Sequence, residues 1–445
     1  MNQEKRFYIL TLGCQMNKND SERIASFLVD FGLKQTTNPE KADVLLINTC
    51  SVREHAEQRV FGFIHNWNKF RENKPNLIIG ITGCLPGHDK DEKIRKKFEK
   101  VDLYFPIIDL PNLPEKLNKI NSELFPLEKS KQLSEYWEYE PIRQNNFSAS
   151  ITIQNGCNNF CTYCIVPYSR GREKNRPLKE ILEEIKKLDK EKFLQIDLLG
   201  QVVNNYQAPD PENFSLNNPY QEKDHFAALL WEVNQIEGVK RIFFTAPDPQ
   251  YFNDWQIEAL TLPKMMNYLH IPVQSGDNKI LKKMNRKYTR EFFIELIRKI
   301  RQVKPEIALG TDIIVGFCGE TEEQFQNTLD LYQQCDFDIS YHAKYSNRPG
   351  TVADKLFVDD ISEEIKKERW QKIQKIMEEQ TLKKNQFYKD KIVSVLVTEC
   401  QDGYCQGNSK EMKLTKFLGD KSLLGKIVQV KINNPERWIL FGEMV

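Results

Sequence analysis

Cys157, Cys161 and Cys164 stand four and three residues apart in the run Gly156-Cys157-Asn158-Asn159-Phe160-Cys161-Thr162-Tyr163-Cys164, close enough to wrap one metal centre. No fourth Cys or His follows at zinc-ribbon spacing. A structural zinc site closes its sphere with four protein ligands. A cubane iron-sulfur cluster on three thiolates instead leaves one iron open to bind and activate something. The plain alternatives are a partial zinc site or a group of buried thiols. The alternation Ile151-Thr152-Ile153 just upstream reads as a short strand. That puts the cysteines on a loop at its carboxyl end, where α/β folds place ligands.

A second trio has a different origin. Cys14, Cys50 and Cys84 each close an apolar run, over 7–14, 43–50 and 77–84. Any one of them alone would read as a small buried hydrophobe. Helix-like segments between the runs, about Ser21 to Phe31 and Val52 to Phe70, indicate strand-helix alternation and a parallel sheet. All strands of such a sheet open at one edge, so three thiols in the same structural position can converge there. Gly13 and Gly83 let the backbone come close to whatever they hold.

The elements that position these residues are legible in part. The segment from Pro106 to Gln144, with several prolines and weak periodicity, reads as a linker with one short helix. Strands are expected near 149–154 and at 194–199, 241–245, 267–272, 308–315 and 340–345, with helices near 178–190, 291–303 and 322–334. Six strand-helix units make an incomplete parallel barrel. A long charged helix from Ser362 to Tyr388 follows, with Ile365, Trp370, Ile373 and Met377 as its packing side. Short β-branched runs at 392–397, 412–417, 427–432 and 438–441 then suggest a small antiparallel barrel or sandwich. The fold class is α/β: a parallel-sheet α/β domain over 4–121, a partial (β/α)6 TIM-like barrel over 143–380, and a small antiparallel β-barrel over 383–445.

Composition bounds the function less tightly. The formal net charge of the 445 residues is only +1, so no global basic field announces a nucleic-acid partner, and local patches must carry that argument. Ten cysteines grouped by spacing suit metal chemistry in a reducing compartment better than a disulfide framework. Cys318, Cys335, Cys400 and Cys405 lack ligand spacing and read as structural thiols. The start of the chain has no apolar leader core, and no run of eighteen apolar residues occurs. A cytoplasmic protein with no membrane association is expected. Loops after barrel strands should line the mouth of the barrel. Gln201 and Asn204 follow the second strand, Gln274 and Ser275 the fourth, and Asp312 lies in the fifth. Glycine turns with amides and acids are also common loop material. Arg170, Arg172 and Arg176 just past the cysteine loop are either a solvated face or phosphate contacts for an RNA substrate.

The C-x3-C-x2-C spacing, with Tyr163 just before the last cysteine, resembles the signature of the radical S-adenosylmethionine enzymes. In that family the open iron chelates the cofactor's amino and carboxylate groups, and the residue matching Tyr163 lies near its adenine. With the N-terminal trio, the cysteine loop and the β tail in this order, the whole chain resembles the methylthiotransferase family. Cys14-Gln15-Met16-Asn17, Asn48-Thr49-Cys50-Ser51-Val52-Arg53-Glu54 and Leu199-Gly200-Gln201 look most like its tRNA-acting branch.

The resemblance implies two [4Fe-4S] clusters, an auxiliary one on Cys14, Cys50 and Cys84 and a radical one on Cys157, Cys161 and Cys164. It also implies S-adenosyl-L-methionine near Tyr163 and a C-terminal TRAM domain that grips RNA; Gln201, Gln274, Ser275 and Asp312 are expected to bind that cofactor from their places on the barrel loops. The implied reaction is radical methylthiolation at C2 of isopentenyladenosine beside the tRNA anticodon. Arg170, Arg172, Arg176 and Asn204 would meet that substrate. A flavodoxin- or ferredoxin-type electron donor and a monomeric state go with this reading.

Sibling enzymes act on threonylcarbamoyl-adenosine or on a ribosomal-protein aspartate. A rival of another class is a non-catalytic iron-sulfur RNA-binding protein. Two departures from the branch pattern stand out: Val202 replaces the usual Asn, and Cys318 the usual Pro. From Lys389 onward nine Lys+Arg face seven Asp+Glu, which promises only a weak electrostatic hold on phosphates.

Overall fold

The computed structural model describes residues 4–50, 54–89, 91–98, 100–129 and 133–445. Ser51, Val52 and Arg53, part of a motif singled out in the sequence, lie outside them. By packing, the chain divides into two compact units. One comprises Met1–Gln144, Gln154–Phe160 and Cys164–Lys174, the other Asn145–Ile153, Cys161–Tyr163 and Asn175–Val445.

The first unit is a five-stranded parallel sheet of β1 (Arg6–Leu12), β2 (Lys34–Gln35), β3 (Val44–Thr49), β4 (Ile78–Gly83) and β5 (Leu103–Pro106), in the order β2-β1-β3-β4-β5. Its helices are α1 (Gln15–Asp30), α2 (Glu54–Lys69), α3 (Cys84–His88) and α4 (Leu113–Ile120). β3 and β4 are buried along their whole length, which is why they read as unbroken apolar runs. Alternate residues feed two cores: Val44 and Leu46 pack with Phe7, Ile24 and Leu28, while Leu45 and Ile47 pack with Val60, Ile64 and Trp67.

The stretch read as a linker belongs to the first of these cores. Leu110, Leu113, Leu117, Phe125, Tyr136, Trp137 and Tyr139 are all buried in it. Arg23, buried in α1, fastens the segment by donating to the carbonyls of Trp137 at 2.8 Å and Tyr139 at 2.5 Å. A buried charge held by distant backbone carbonyls leaves no mark in local periodicity, so the sequence could not announce it.

The chain then passes through β6 (Ser148–Thr152), β7 (Gln154–Asn155), the cysteine loop, α5 (Val166–Ser169), β8 (Lys174–Asn175) and α6 (Leu178–Lys186). In the second unit, β6, β9 (Gln195–Leu199) and β10 (Arg241–Phe244) form one parallel sheet in the order β10-β9-β6. β11 (Tyr268–His270), β12 (Ala308–Val315) and β13 (Ile339–Lys344) form another. A parallel bridge, Ile242 to Met265, links the two halves of this six-stranded partial barrel.

The helices of this unit are α6, α7 (His225–Gln235), α8 (Asp254–Ala259), α9 (Asn278–Lys283), α10 (Arg290–Val303), α11 (Glu322–Cys335), α12 (Val352–Leu356) and α13 (Glu363–Gln386). Ile181 and Ile185 of α6 and Ile297 and Ile300 of α10 share one core with Ile151, Ile196, Leu198 and Leu309. α13 differs from expectation. Its buried face runs Lys366, Arg369, Ile373, Met377, Thr381 and Asn385, while Ile365 is 42% exposed. Ion pairs draw the cations inward, Lys366 to Asp359 at 2.7 Å and Arg369 to Glu320 at 2.8 Å, so polar chemistry rather than hydropathy sets the helix's rotation.

The tail is a closed barrel of β14 (Ile392–Gln401), β15 (Tyr404–Ser409), β16 (Leu414–Leu418), β17 (Ile427–Pro435) and β18 (Leu440–Met444), in the order β14-β15-β16-β18-β17. β15, with Gly407 and Asn408 in it, was missed in the sequence, and the β16–β18 pairing that closes the barrel is parallel rather than antiparallel. Cys400 and Cys405, read as structural thiols, form a disulfide. They are directly opposed partners in the β14–β15 hairpin with Cα atoms 4.1 Å apart, a register that sequence spacing alone does not reveal. Among the described residues no helix is long and apolar enough to cross a membrane.

Candidate metal centres and their surroundings

In the first unit Leu12 is in register with Thr49, and Thr49 with Gly83, so Cys50 and Cys84 each directly follow a matched strand end. Cys14, one residue farther on, is the N-cap of α1, and Cys84 is the first residue of α3. The three cysteines therefore share one sheet edge. Cys50 and Cys84 are buried and Cys14 is exposed. Gly83, at φ +100°, is required here, because a Cβ would stand 2.4 Å from the Thr49 carbonyl oxygen.

A polar network stiffens this rim. The Cys14 N–H and thiol both donate to Asn17 Oδ1 at 3.3 Å, Asn17 Nδ2 donates to Asn48 Oδ1 at 3.0 Å, and Asn48 Nδ2 donates to the Asn17 carbonyl at 2.8 Å. The Arg170 guanidinium donates to Cys84 Sγ at 3.4 Å and pairs with Asp20 at 2.6 Å, both side chains being essentially inaccessible. Burial works against the Arg170 charge, but Asp20 and the thiols of Cys84 and Cys14 hold its pKa well above the ordinary value.

Among the described residues no group of three His, Cys, Asp or Glu side chains is arranged to hold a single metal ion. A four-iron cluster binds each thiolate through a different iron, so it asks for three thiols around a rigid rim beside positive charge. The first trio fits that requirement.

The cysteine loop is anchored by its own backbone. The Cys157 N–H donates to the Gly171 carbonyl at 3.2 Å, and the Asn159 N–H to Cys157 Sγ at 3.4 Å. Thr162 is tied down in the second unit: its N–H donates to the Met284 carbonyl at 3.0 Å, its hydroxyl to the Lys283 carbonyl at 3.0 Å, and its carbonyl accepts from Ala353 N–H at 2.7 Å. Arg286, which sequence reasoning missed, donates to Cys161 Sγ at 3.2 Å and pairs with buried Asp248 at 3.1 Å. Cys157, Cys161 and Cys164 are outside any disulfide. Sulfurs served by an amide and a guanidinium suit thiolate ligands of a cluster.

The remaining candidates divide. Tyr163 is half-buried and meets Phe317 edge-on, with ring centroids 6.5 Å apart. Gln201 is half-buried just past β9. Gln274 turns at φ +67° and is clasped by backbone bonds to Asp312 and Ile314. Asp312 is 40% exposed and meets His270 Nε2 at 3.1 Å.

Ser275 is corrected: it is fully buried, its hydroxyl accepts from Asp277 N–H at 3.2 Å, and so it shapes a turn rather than facing a ligand. Asn204 is corrected as well. It is 2% exposed, and its side chain is committed to Asp248 and Gln256. Arg170 and Arg176 are not phosphate contacts. Arg170 is locked to Asp20, and Arg176, 5% exposed, pairs with Glu180 and Glu184. Of the three arginines only Arg172 remains at the surface, over the Phe160 ring at 4.6 Å. Val202 and Cys318 are both buried, which suits the apolar residue and the thiol found there.

Comparison with known proteins agrees with this architecture. Residues 6–106 match the family described as Uncharacterized protein family UPF0004, and residues 151–332 match the Radical SAM superfamily. The chain is similar in fold to a radical S-adenosylmethionine methyltransferase, TsrM, from Kitasatospora setae, with a TM-score of 0.54 at 15% identity over 76% of this chain and 73% of that one. Partial barrel, cysteine loop and superfamily match together define a radical S-adenosylmethionine protein.

Closer relatives are proteins named tRNA-2-methylthio-N(6)-dimethylallyladenosine synthase. The one from Thermoanaerobacter sp. (strain X514) is 42% identical over 99% of this chain and 92% of its own length. The one from Clostridium botulinum (strain Okra / Type B1) is 41% identical over 99% and 97%. The chain belongs to the tRNA-2-methylthio-N(6)-dimethylallyladenosine synthase family.

Proposed function

We propose that this protein methylthiolates C2 of N(6)-isopentenyladenosine at position 37 of tRNA. The single observation that carries the reading is 42% identity, over 99% of this chain, to a relative named for that activity, and the two cysteine trios accord with it. In this reading Cys14, Cys50 and Cys84 hold an auxiliary [4Fe-4S] cluster, and Cys157, Cys161 and Cys164 hold the radical cluster. Bound there, the clusters and S-adenosyl-L-methionine supply the radical that removes hydrogen from C2 and the methylthio group that replaces it.

The chain's own work is positioning. Thr162 and Arg286 fix the cysteine loop, Tyr163 offers its ring to the cofactor's adenine, and Gln201, Gln274 and Asp312 line the mouth of the barrel. Arg172 with Phe160 offers a cation and a ring to RNA. The functional division follows 4–121, 143–380 and 383–445, the last acting as an RNA-binding TRAM domain. The enzyme works in the cytoplasm as a monomer with a flavodoxin- or ferredoxin-type electron donor.

The test is anaerobic incubation of reconstituted protein with reductant, S-adenosyl-L-methionine and tRNA carrying isopentenyladenosine, read by mass spectrometry of nucleosides. A methylthio-isopentenyladenosine peak supports the assignment. Its absence, with product on threonylcarbamoyl-adenosine tRNA or ribosomal protein instead, transfers the chain to a sibling activity. No deoxyadenosine from well-loaded protein would leave a non-catalytic RNA-binding protein.

A further inference from the structure

α5 and Arg170 extend the loop that carries Cys164, and they reach the other cysteine trio. Ser169 packs on α3, whose first residue is Cys84: a Cβ at Gly87 would lie 2.2 Å from the Ser169 carbonyl oxygen. The next residue, Arg170, is 1% exposed, donates Nε–H to Cys84 Sγ at 3.4 Å and Nη2–H to Asp20 Oδ2 at 2.6 Å, with Asn155 Oδ1 at 3.5 Å from Nη1. Among the described residues Asp20 Oδ1 has no hydrogen-bond partner, although Asp20 is fully buried.

As a stability device this pair is expensive. Desolvating two charges costs about as much as their attraction returns, and one carboxylate oxygen is left unsatisfied. Its geometry makes sense for another purpose. One N–H of the guanidinium points at a thiol the sheet edge presents, and the carboxylate holds the guanidinium in place.

We propose that Arg170 is a positioning residue for the auxiliary cluster, donating to the Cys84 sulfur and raising the cluster's reduction potential, with Asp20 as the anchor that sets how much of its charge the cluster feels. This rests on the two-cluster reading above. Positive charge and hydrogen bonds at cluster sulfurs stabilise the reduced, more negative state. Because the donor sits six residues beyond Cys164 in the same loop, the element that serves one cluster also tunes the other.

The test is an anaerobic redox titration of reconstituted protein, following each cluster by its electron paramagnetic resonance signal, with iron counted in every sample. Arg170→Met/Asp20→Asn removes the donor without leaving a lone buried charge. At fixed poise its auxiliary cluster should show a reduced-to-oxidised ratio at least tenfold lower, about 59 mV for a one-electron couple, with the radical cluster's potential unmoved. Asp20→Asn alone, which leaves the guanidinium uncompensated, should shift the auxiliary potential the opposite way, and Arg170→Lys should recover part of the loss.

Variants that retain full iron and show an unmoved auxiliary potential overturn the proposal and make the pair purely structural. Should the double variant not load, Asp20→Asn and Arg170→Lys decide it by the sign of their shifts. Wild-type protein that takes up iron for only one cluster instead overturns the two-cluster reading on which the proposal stands.

Discussion

Arg286 Nη1 lies 3.2 Å from Cys161 Sγ, although 125 residues of chain separate the two. The same nitrogen is 3.1 Å from Asp248, and Nε donates to the Tyr288 hydroxyl at 3.0 Å, so the guanidinium is clamped before any ligand arrives. Burial opposes its charge, yet Tyr288, Tyr163, Asp248 and Cys161 keep its pKa well above the ordinary value. Arg286→Ala should cost roughly 3–5 kcal/mol of stability, because buried Asp248 would lose the cation of its ion pair. Arg286→Ala/Asp248→Asn should recover much of that stability while deoxyadenosine formation stays at least about tenfold down, the loss of one charge-assisted hydrogen bond. Thermal denaturation and chromatography of deoxyadenosine separate the two effects.

The N-terminal cysteines can be tested by counting metal. Changing Cys14, Cys50 and Cys84 together to Ala should lower the iron of anaerobically reconstituted protein from about eight to about four per chain, with matching sulfide. Iron and sulfide assays measure it directly, and an unchanged count would make the first trio structural.

Gly87 tests the close packing of α3 on α5. Gly87→Ala forces a methyl group against backbone at Ser169, which cannot rotate away as a side chain could. The expected cost is about 1–3 kcal/mol from overpacking, with weakened iron uptake at the auxiliary site and normal uptake at the other. Thermal denaturation with iron analysis reads both.

Asp197, 8% exposed in β9, has Gln195 Nε2 at 2.8 Å, and burial pushes its pKa up to about 6. A carboxyl whose folded pKa is raised binds its proton more tightly in the native state. Its penalty is therefore absent below the unfolded value near 4 and grows as pH rises through about 6. Asp197→Asn should raise stability by roughly 2–3 kcal/mol above pH 7, and the gain should vanish toward pH 4. Denaturant unfolding at a series of pH values checks the slope.

The Cys400–Cys405 disulfide closes a loop with a sequence separation of five, for which chain entropy alone gives about 2 kcal/mol. Alkylation and mass spectrometry of denatured, unreduced protein should find these two thiols protected. Reduction should lower the tail's melting temperature without changing iron content.

Much of the site was present in the sequence, because it is built from local chemistry. Cysteine spacing and the glycine-lined ends of apolar runs are properties of a few consecutive residues, and strand-helix alternation follows from hydropathy period alone. These determined the α/β class, both trios and the partial barrel. Tertiary structure alone decided which polar groups serve them. Arg170 and Arg286 look like surface cations in the sequence, and Ser275 and Asn204 like loop donors.

The fold buries Arg170 with Asp20 and Arg286 with Asp248, and it turns Ser275 into a brace for its own turn. It ties Asn204 to residues more than forty positions away, Asp248 and Gln256, packs the supposed linker through Arg23, and closes the tail with a parallel pair and a cross-strand disulfide. The physical reason is common to all of these. Hydropathy sorts residues by their own side chains, whereas a buried polar group is stabilised by a partner that only the folded chain brings within reach.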